Sequence, residues 1–270
     1  MQTDQTGDKS ACVEPYLCLT VSEDASSRCA VPLVHETGIQ LYFNGHRVLQ
    51  TQCMACDLEL MAVGFFVGEG LLRQRDELQS VQVDITDRSI RVSATVPEER
   101  IQHCGSSYRL ASGGSRTRVI DAVQEQADTG FRIVSDKRIS ASDAIRLGTA
   151  FNEFEGLYRD TRFVHSAALS DGVHILYHAE DVGRHNAVDK VIGFGFLHGI
   201  DFSQAVLLCS GRFSLEMVAK AARVGIPVYV SPAAPSIEAV TLAERIGMCL
   251  IGRVRADSAY VYSALHRIAI

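Results

Sequence analysis

Three short segments of this chain hold the residue types that sulfur, phosphate or metal chemistry needs. The first is His103-Cys104-Gly105-Ser106-Ser107-Tyr108-Arg109. A thiolate is the reactive form of cysteine, and a free thiol titrates near ~8.5. His103 and Arg109 favour the anion, and the flanking Gly and Ser leave the sulfur accessible. The same residues also suit an inert loop cysteine. The second segment, Glu180-Asp181-Val182-Gly183-Arg184-His185-Asn186-Ala187-Val188-Asp189-Lys190, lies where a strand pattern gives way to a helical one. Gly183 admits a ligand close to the backbone. Arg184, His185 and Lys190 bring cationic donors to a helix N-terminus, which suits phosphate. The third segment, Ser210-Gly211-Arg212-Phe213-Ser214, repeats the arrangement. Arg212 in a glycine-containing turn suits a phosphate contact, and Ser214 equally suits an N-cap.

Two further patterns point elsewhere. Cys53-Met54-Ala55-Cys56 has the spacing of redox and metal motifs, but no second pair accompanies it, and both are expected to be structural thiols. His178-Ala179-Glu180 matches the H-x-E of zinc deaminases. Those enzymes also need a downstream P-C-x-x-C, and Ser231-Pro232-Ala233-Ala234-Pro235 contains no cysteine. No catalytic metal is expected on that ground.

The elements that must position these segments follow from periodicity and turn signals. Residues 1–28 are polar and aperiodic and read as a flexible tail, with Cys12, Cys18 and Cys29 as scattered free thiols. Residues 29–96 read as a small α+β domain. Asn44-Gly45 joins two strands as a hairpin, a helix starts at Asp57, and two alternating stretches meet at Thr86-Asp87-Arg88. Residues 97–140 lack a sustained apolar period and read as a cysteine-bearing loop or linker. From Ser142, Leu147, Ala150, Phe151, Phe154 and Tyr158 recur at helical spacing over one long helix. Strands at 163–169 and 173–178, a helix at 185–196, and alternating strands and helices follow to about residue 263. That order predicts an α/β domain over 141–270, its sheet covered by helices on both faces.

Bulk properties exclude several classes. The chain has 270 residues, 47% of them apolar and 21% charged, which is ample for a buried core. A net charge of -6 argues against bulk attraction to nucleic acid or acidic membrane. The eight cysteines show no disulfide framework. With neither a signal-peptide pattern nor a membrane-length apolar run, the sequence reads as cytoplasmic.

The motifs together resemble one family. The run EDVGRHNAVDKVIG at 180–193 resembles the signature of the formate dehydrogenase accessory sulfurtransferases, the FdhD family. The runs at 44–72, 163–169, 210–227 and 234–252 resemble that family's other blocks, in its order, so the likeness spans roughly residues 30–268. The resemblance implies a cytidine-deaminase-like C-terminal domain and a homodimer. It implies a carrier that takes sulfur from a cysteine desulfurase as a Cys104 persulfide. The sulfur then passes to the molybdenum cofactor in its bis-molybdopterin guanine dinucleotide form, a bound substrate destined for formate dehydrogenase. Arg184, His185, Lys190, Gly211 and Arg212 are expected to cradle its phosphates. The family's carboxyl-terminal contact segment falls on Ala259, Tyr260, Val261, Tyr262, Ser263 and Ala264, without the family's Phe and His. The family's C-G-x-C-G loop keeps its first cysteine as Cys104 and has Ser107 in place of the second. That change leaves open a second reading, a cofactor chaperone that moves no sulfur.

Overall fold

The computed structural model describes residues 9–102, 123–125, 127–128, 130–154 and 156–269. Cys104 and the loop expected to carry sulfur lie outside them. The chain opens with a ribbon, β1 (Val13–Val21) and β2 (Ser26–Val34), paired antiparallel. Regular structure therefore begins inside the stretch whose polarity suggested a tail. Val13, Pro15, Leu17, Leu19 and Val21 alternate with Glu14, Cys18 and Thr20 along β1, but Leu17, Leu19 and Val21 are exposed and the surrounding stretch is polar, which masks the alternation.

The next unit is the expected ββαββ. β3 (Thr37–Phe43) and β4 (His46–Cys53) form a hairpin around Asn44 and Gly45. Both turn residues have positive φ, 47° and 83°, as a tight two-residue hairpin turn requires. β5 (Leu78–Asp84) and β6 (Ser89–Ala94) complete a sheet of order β4-β3-β6-β5. Between them lies α1 (Leu58–Gly68), apolar on nearly every face and almost wholly buried. A helix of that kind needs cover all round. A short helix, α2 (Glu98–Gln102), follows the sheet.

The second unit begins with β7 (Ile139–Ser140) and α3 (Ala141–Asn152), capped by the Ser140 hydroxyl, which accepts from the Asp143 N–H at 2.9 Å. The single helix expected through Tyr158 is broken. α3 stops at Asn152, and a separate short helix, α4 (Leu157–Thr161), follows Gly156. Gly156 packs so closely on the Glu180 carboxylate that a Cβ there would lie 2.7 Å from it. A continuous helix would forgo that contact.

The main sheet has order β13-β12-β11-β10-β8-β9, built from β8 (His165–Ser170), β9 (Ile175–Asp181), β10 (Val206–Cys209), β11 (Val228–Val230), β12 (Cys249–Gly252) and β13 (Tyr260–Val261). β10, β11 and β12 run parallel through the crossover helices α6 (Leu215–Arg223) and α7 (Ile237–Ile246). α5 (Arg184–Leu197) links β9 to β10. α5, α6 and α7 cover one face and α3 the other, as the alternation predicts. The last strand, β14 (Ile268–Ala269), pairs parallel with β7. Beside it the buried Arg267 guanidinium donates to the carbonyls of Ile133, Ser135 and Lys137, pinning the end of the expected linker.

The two units share one core, because α1 lies against α5 at two glycines. A Cβ on Gly64 would sit 1.8 Å from the Asp189 carbonyl, and one on Gly193 would sit 1.9 Å from the Leu60 carbonyl. Only glycine permits this approach. The N-terminal sheet thus braces the helix that begins with Arg184. No helix among the described residues is long and apolar enough to cross a membrane.

Candidate functional site

The C-terminal ends of β9, β10, β11 and β12 share one edge of the sheet, and chain order reverses at β10, whose neighbours are β8 and β11. Ligands of open α/β sheets gather at such a place. Two helices start there. α5 begins at Arg184 after Gly183, and α6 begins at Leu215 after Ser214, whose hydroxyl accepts from the Met217 N–H.

Arg184 lies across the β10 turn. A Cβ on Gly211 would be 2.9 Å from Arg184 Cδ, so glycine at 211 makes room for this side chain. The Arg184 Nε is buried and has no hydrogen-bond partner among the described residues. An unpaired buried guanidinium donor is costly unless a ligand satisfies it. Arg212, next in the turn, is exposed. His185 Nε2 lies 3.0 Å from the Glu216 carboxylate on α6, which ties the two helix starts together. His165, at the start of β8, has Nδ1 3.3 Å from Ser210 Oγ. Burial and the positive charges of Arg184 and His185 hold its imidazole below the usual range. The turn itself is fixed by Ser231, whose hydroxyl donates to the Gly211 carbonyl at 2.9 Å. Cationic and hydroxyl groups thus converge on one glycine-lined turn, a setting that suits a phosphorylated ligand.

Lys190 does not join them. Its side chain is fully buried, with Nζ 2.8 Å from Asp181 Oδ2 and 3.0 Å from the Glu180 carbonyl. The expectation of a phosphate contact from Lys190 is therefore corrected. Helical periodicity places it one turn and a half past the helix start, on the face turned to the core. Its role is to hold Asp181, which also accepts from Met54 N, Gly183 N and Asn186 Nδ2. Asp181 is the joint that fixes the entry of α5 against β4.

The carboxyl-terminal segment divides. Ser263 is a structural pin, accepting from Leu250 N at 3.1 Å and donating to the Met248 carbonyl at 2.7 Å. Tyr262 comes within reach of the β10 turn through Gly252, where a Cβ would meet Tyr262, Phe213 and the Ala233 carbonyl within 3.0 Å. Tyr260 is exposed and stacks on Tyr262, with Arg253 over its ring. Ala259, Val261 and Ala264 are partly buried against the α3 side of the sheet and do not face the turn. Of the predicted residues, the fold gathers Arg184, His185, Gly211 and Arg212, with Tyr262 alongside. Cys104 falls outside the described residues.

The other two motifs are otherwise engaged. His178 stacks on Phe154 at 3.8 Å. Glu180 accepts from Lys9 Nζ, Leu157 N and Tyr158 N. A separate cleft of about 630 Å³ lies there, between Lys9, Phe154, Leu157, Arg159, Asp160 and Glu180. Cys53 and Cys56 are buried, with Lys190 Nζ 3.7 Å from Cys56 Sγ and the Cys12 thiol hydrogen-bonded to Cys56.

The FdhD/NarQ family model matches residues 34–269. The chain belongs to the FdhD/NarQ family. A relative named sulfur carrier protein FdhD, from Wolinella succinogenes, is 34% identical over 241 residues, covering 87% of this chain and 82% of its own. Its counterpart from Shouchella clausii is 30% identical, covering 88% and 90%. That from Staphylococcus aureus is 32% identical, covering 87% and 88%. A crystal structure described as a putative formate dehydrogenase accessory protein, from Desulfotalea psychrophila, shares the fold with a TM-score of 0.74 at 23% identity. It covers 96% of this chain and all of its own. His165, Asp181, Ser210 and Glu216 lie inside the motif blocks, yet sequence spacing alone does not show that they meet.

Proposed function

We propose that this FdhD/NarQ protein is a sulfur carrier that moves sulfur on Cys104 from a cysteine desulfurase to a guanine-dinucleotide molybdenum cofactor held at the α5–α6 edge. The reading rests on family membership and on one observation above all, the buried Arg184 Nε left without a partner beside Gly211. A phosphate oxygen is the acceptor that completes it. Arg212 adds a second guanidinium at the rim. The starts of α5 and α6 add partial positive charge.

The chemistry is thiol exchange. The Cys104 thiolate attacks the outer sulfur of the desulfurase persulfide. The sulfur–sulfur bond breaks, and the desulfurase thiolate leaves. Release of the sulfur as sulfide then takes two electrons. An external thiol supplies them by attacking the inner Cys104 sulfur, which ends in a mixed disulfide. The cofactor is cargo, sulfurated before its insertion into formate dehydrogenase. The same reading places the chain in the cytoplasm as a homodimer and describes its C-terminal domain as cytidine-deaminase-like.

Calorimetric titration of guanosine diphosphate tests the cradle. Arg184→Ala should lower affinity at least about tenfold, the loss of a charged hydrogen bond worth ~1.5–3 kcal/mol. Arg212→Ala should lower it less. Unchanged affinity in both variants sinks the assignment. Ser107, standing where the family has its second cysteine, favours the chaperone reading. Restoration of formate dehydrogenase by Cys104→Ala would establish that reading instead.

A further inference from the structure

All of the β1–β2 ribbon but Val34 precedes the span matched by the family, and it carries two cysteines directly opposite each other. Cys18 pairs with Cys29 in register, and their sulfurs lie 3.4 Å apart. Opposed residues of an antiparallel pair have Cα atoms about 4.5–5.5 Å apart, inside the ~4.4–6.8 Å range that a disulfide spans. Closing to a bond of about 2.05 Å takes side-chain rotation and no backbone rearrangement. Both thiols are part-exposed, whereas Cys12, Cys53, Cys56, Cys209 and Cys249 are buried. The pair is therefore the accessible dithiol of the described residues.

The two sulfurs are not equivalent. Thr20 Oγ1 lies 2.9 Å from Cys29 Sγ. Hydrogen bonds from Thr20 and Cys18 lower the Cys29 pKa, while the same contact raises that of Cys18. Cys29 is thus the attacking thiolate and Cys18 the resolving thiol.

We propose that Cys18 and Cys29 form a thiol–disulfide exchange site that reduces small-molecule disulfides and closes into a Cys18–Cys29 disulfide. The Cys29 thiolate attacks one sulfur of the small disulfide. Its sulfur–sulfur bond breaks, and one thiolate leaves and takes a proton from water. Cys18 gives its proton to water and attacks the Cys29 sulfur, expelling the second thiolate. Two electrons pass from the cysteine pair to the small disulfide, leaving one protein disulfide and two free thiols. The site requires neither Cys104 nor the α5–α6 edge.

The test uses the full chain, reduced under anaerobic conditions and then incubated with oxidised glutathione, quenched by alkylation and mapped by peptide mass spectrometry. The peptides bearing Cys18 and Cys29 should appear joined, reversibly on adding reduced glutathione, and equally in Cys104→Ala. In Cys18→Ser, glutathione should accumulate on Cys29. In Cys29→Ser, addition to Cys18 should be several-fold slower. Matched circular dichroism of the serine variants excludes a folding defect. Cys18 and Cys29 both remaining alkylatable, or both ending as glutathione adducts without joining, overturns the proposal.

Discussion

Replacing Lys190 with Met should destabilise the protein far more than a surface lysine change. The Lys190 ammonium and the Asp181 carboxylate are fully buried and 2.8 Å apart. Removing one partner of a buried pair typically costs ~3–5 kcal/mol, because the remaining charge is left uncompensated. Asp181 keeps three donors, Met54 N at 3.1 Å, Gly183 N at 3.1 Å and Asn186 Nδ2 at 2.8 Å. Those place the loss near the lower end, about 3 kcal/mol, with the orphaned Glu180 carbonyl adding to it. With a urea dependence of about 2–3 kcal/mol per molar, the unfolding midpoint should fall by roughly 1–1.5 M. Asp181→Asn in the Lys190→Met background should recover part of the loss, since the carboxylate left uncompensated by Lys190→Met is then replaced by a neutral amide. The burial of Lys190 opposes its charge, but the Asp181 carboxylate overcomes this and raises its pKa. The pair's contribution is therefore full below the unfolded lysine value of about 10.4 and is lost as pH rises through the still higher folded value. A Lys190→Met midpoint within error of the parent, or a double variant weaker than the single, would refute the reasoning.

Two other substitutions follow from packing and burial. Burial, joined by the Lys9 charge, lowers the His178 pKa to about 4. The unfolded chain then binds the proton more tightly, so stability falls as pH drops below the free-imidazole value of about 6.5. The loss between about pH 7 and pH 5 should be roughly 2 kcal/mol in urea titrations, and His178→Phe should flatten that segment of the profile. Gly193→Ala places a methyl 1.9 Å from the Leu60 carbonyl, an atom that cannot rotate away. The overpacking of about 1–3 kcal/mol exceeds the helix-propensity gain of ~1 kcal/mol from Ala, so the thermal midpoint should fall.

Much of this architecture was legible in local signals. Asn44-Gly45 marked the hairpin, and strand–helix alternation after Ser142 marked the covered sheet. Gly183-Arg184-His185 and Ser210-Gly211-Arg212 marked the two helix starts of the candidate site. Long-range facts were not legible. Lys190 carries the same charge as Arg184, and only the turn of α5 decides that one faces the core and the other the β10 turn. His185 meets Glu216 only because β9 and β10 bring their following helices side by side. The break between α3 and α4 comes from Gly156 packing on Glu180, a contact between segments 24 positions apart that helical periodicity does not encode. The overall polarity of residues 1–28 masks the β1–β2 ribbon, although Leu17, Leu19 and Val21 alternate with Cys18 and Thr20.

The carrier reading stands or falls on whether Cys104 takes up sulfur. Incubating the full chain with a cysteine desulfurase and L-cysteine, followed by intact-protein and peptide mass spectrometry, tests it directly. A one-sulfur adduct should appear on the Cys104 peptide, be removed by reducing agent and be absent in Cys104→Ala. A Cys104 peptide without added sulfur, alongside a desulfurase shown to be competent on another acceptor, would contradict it.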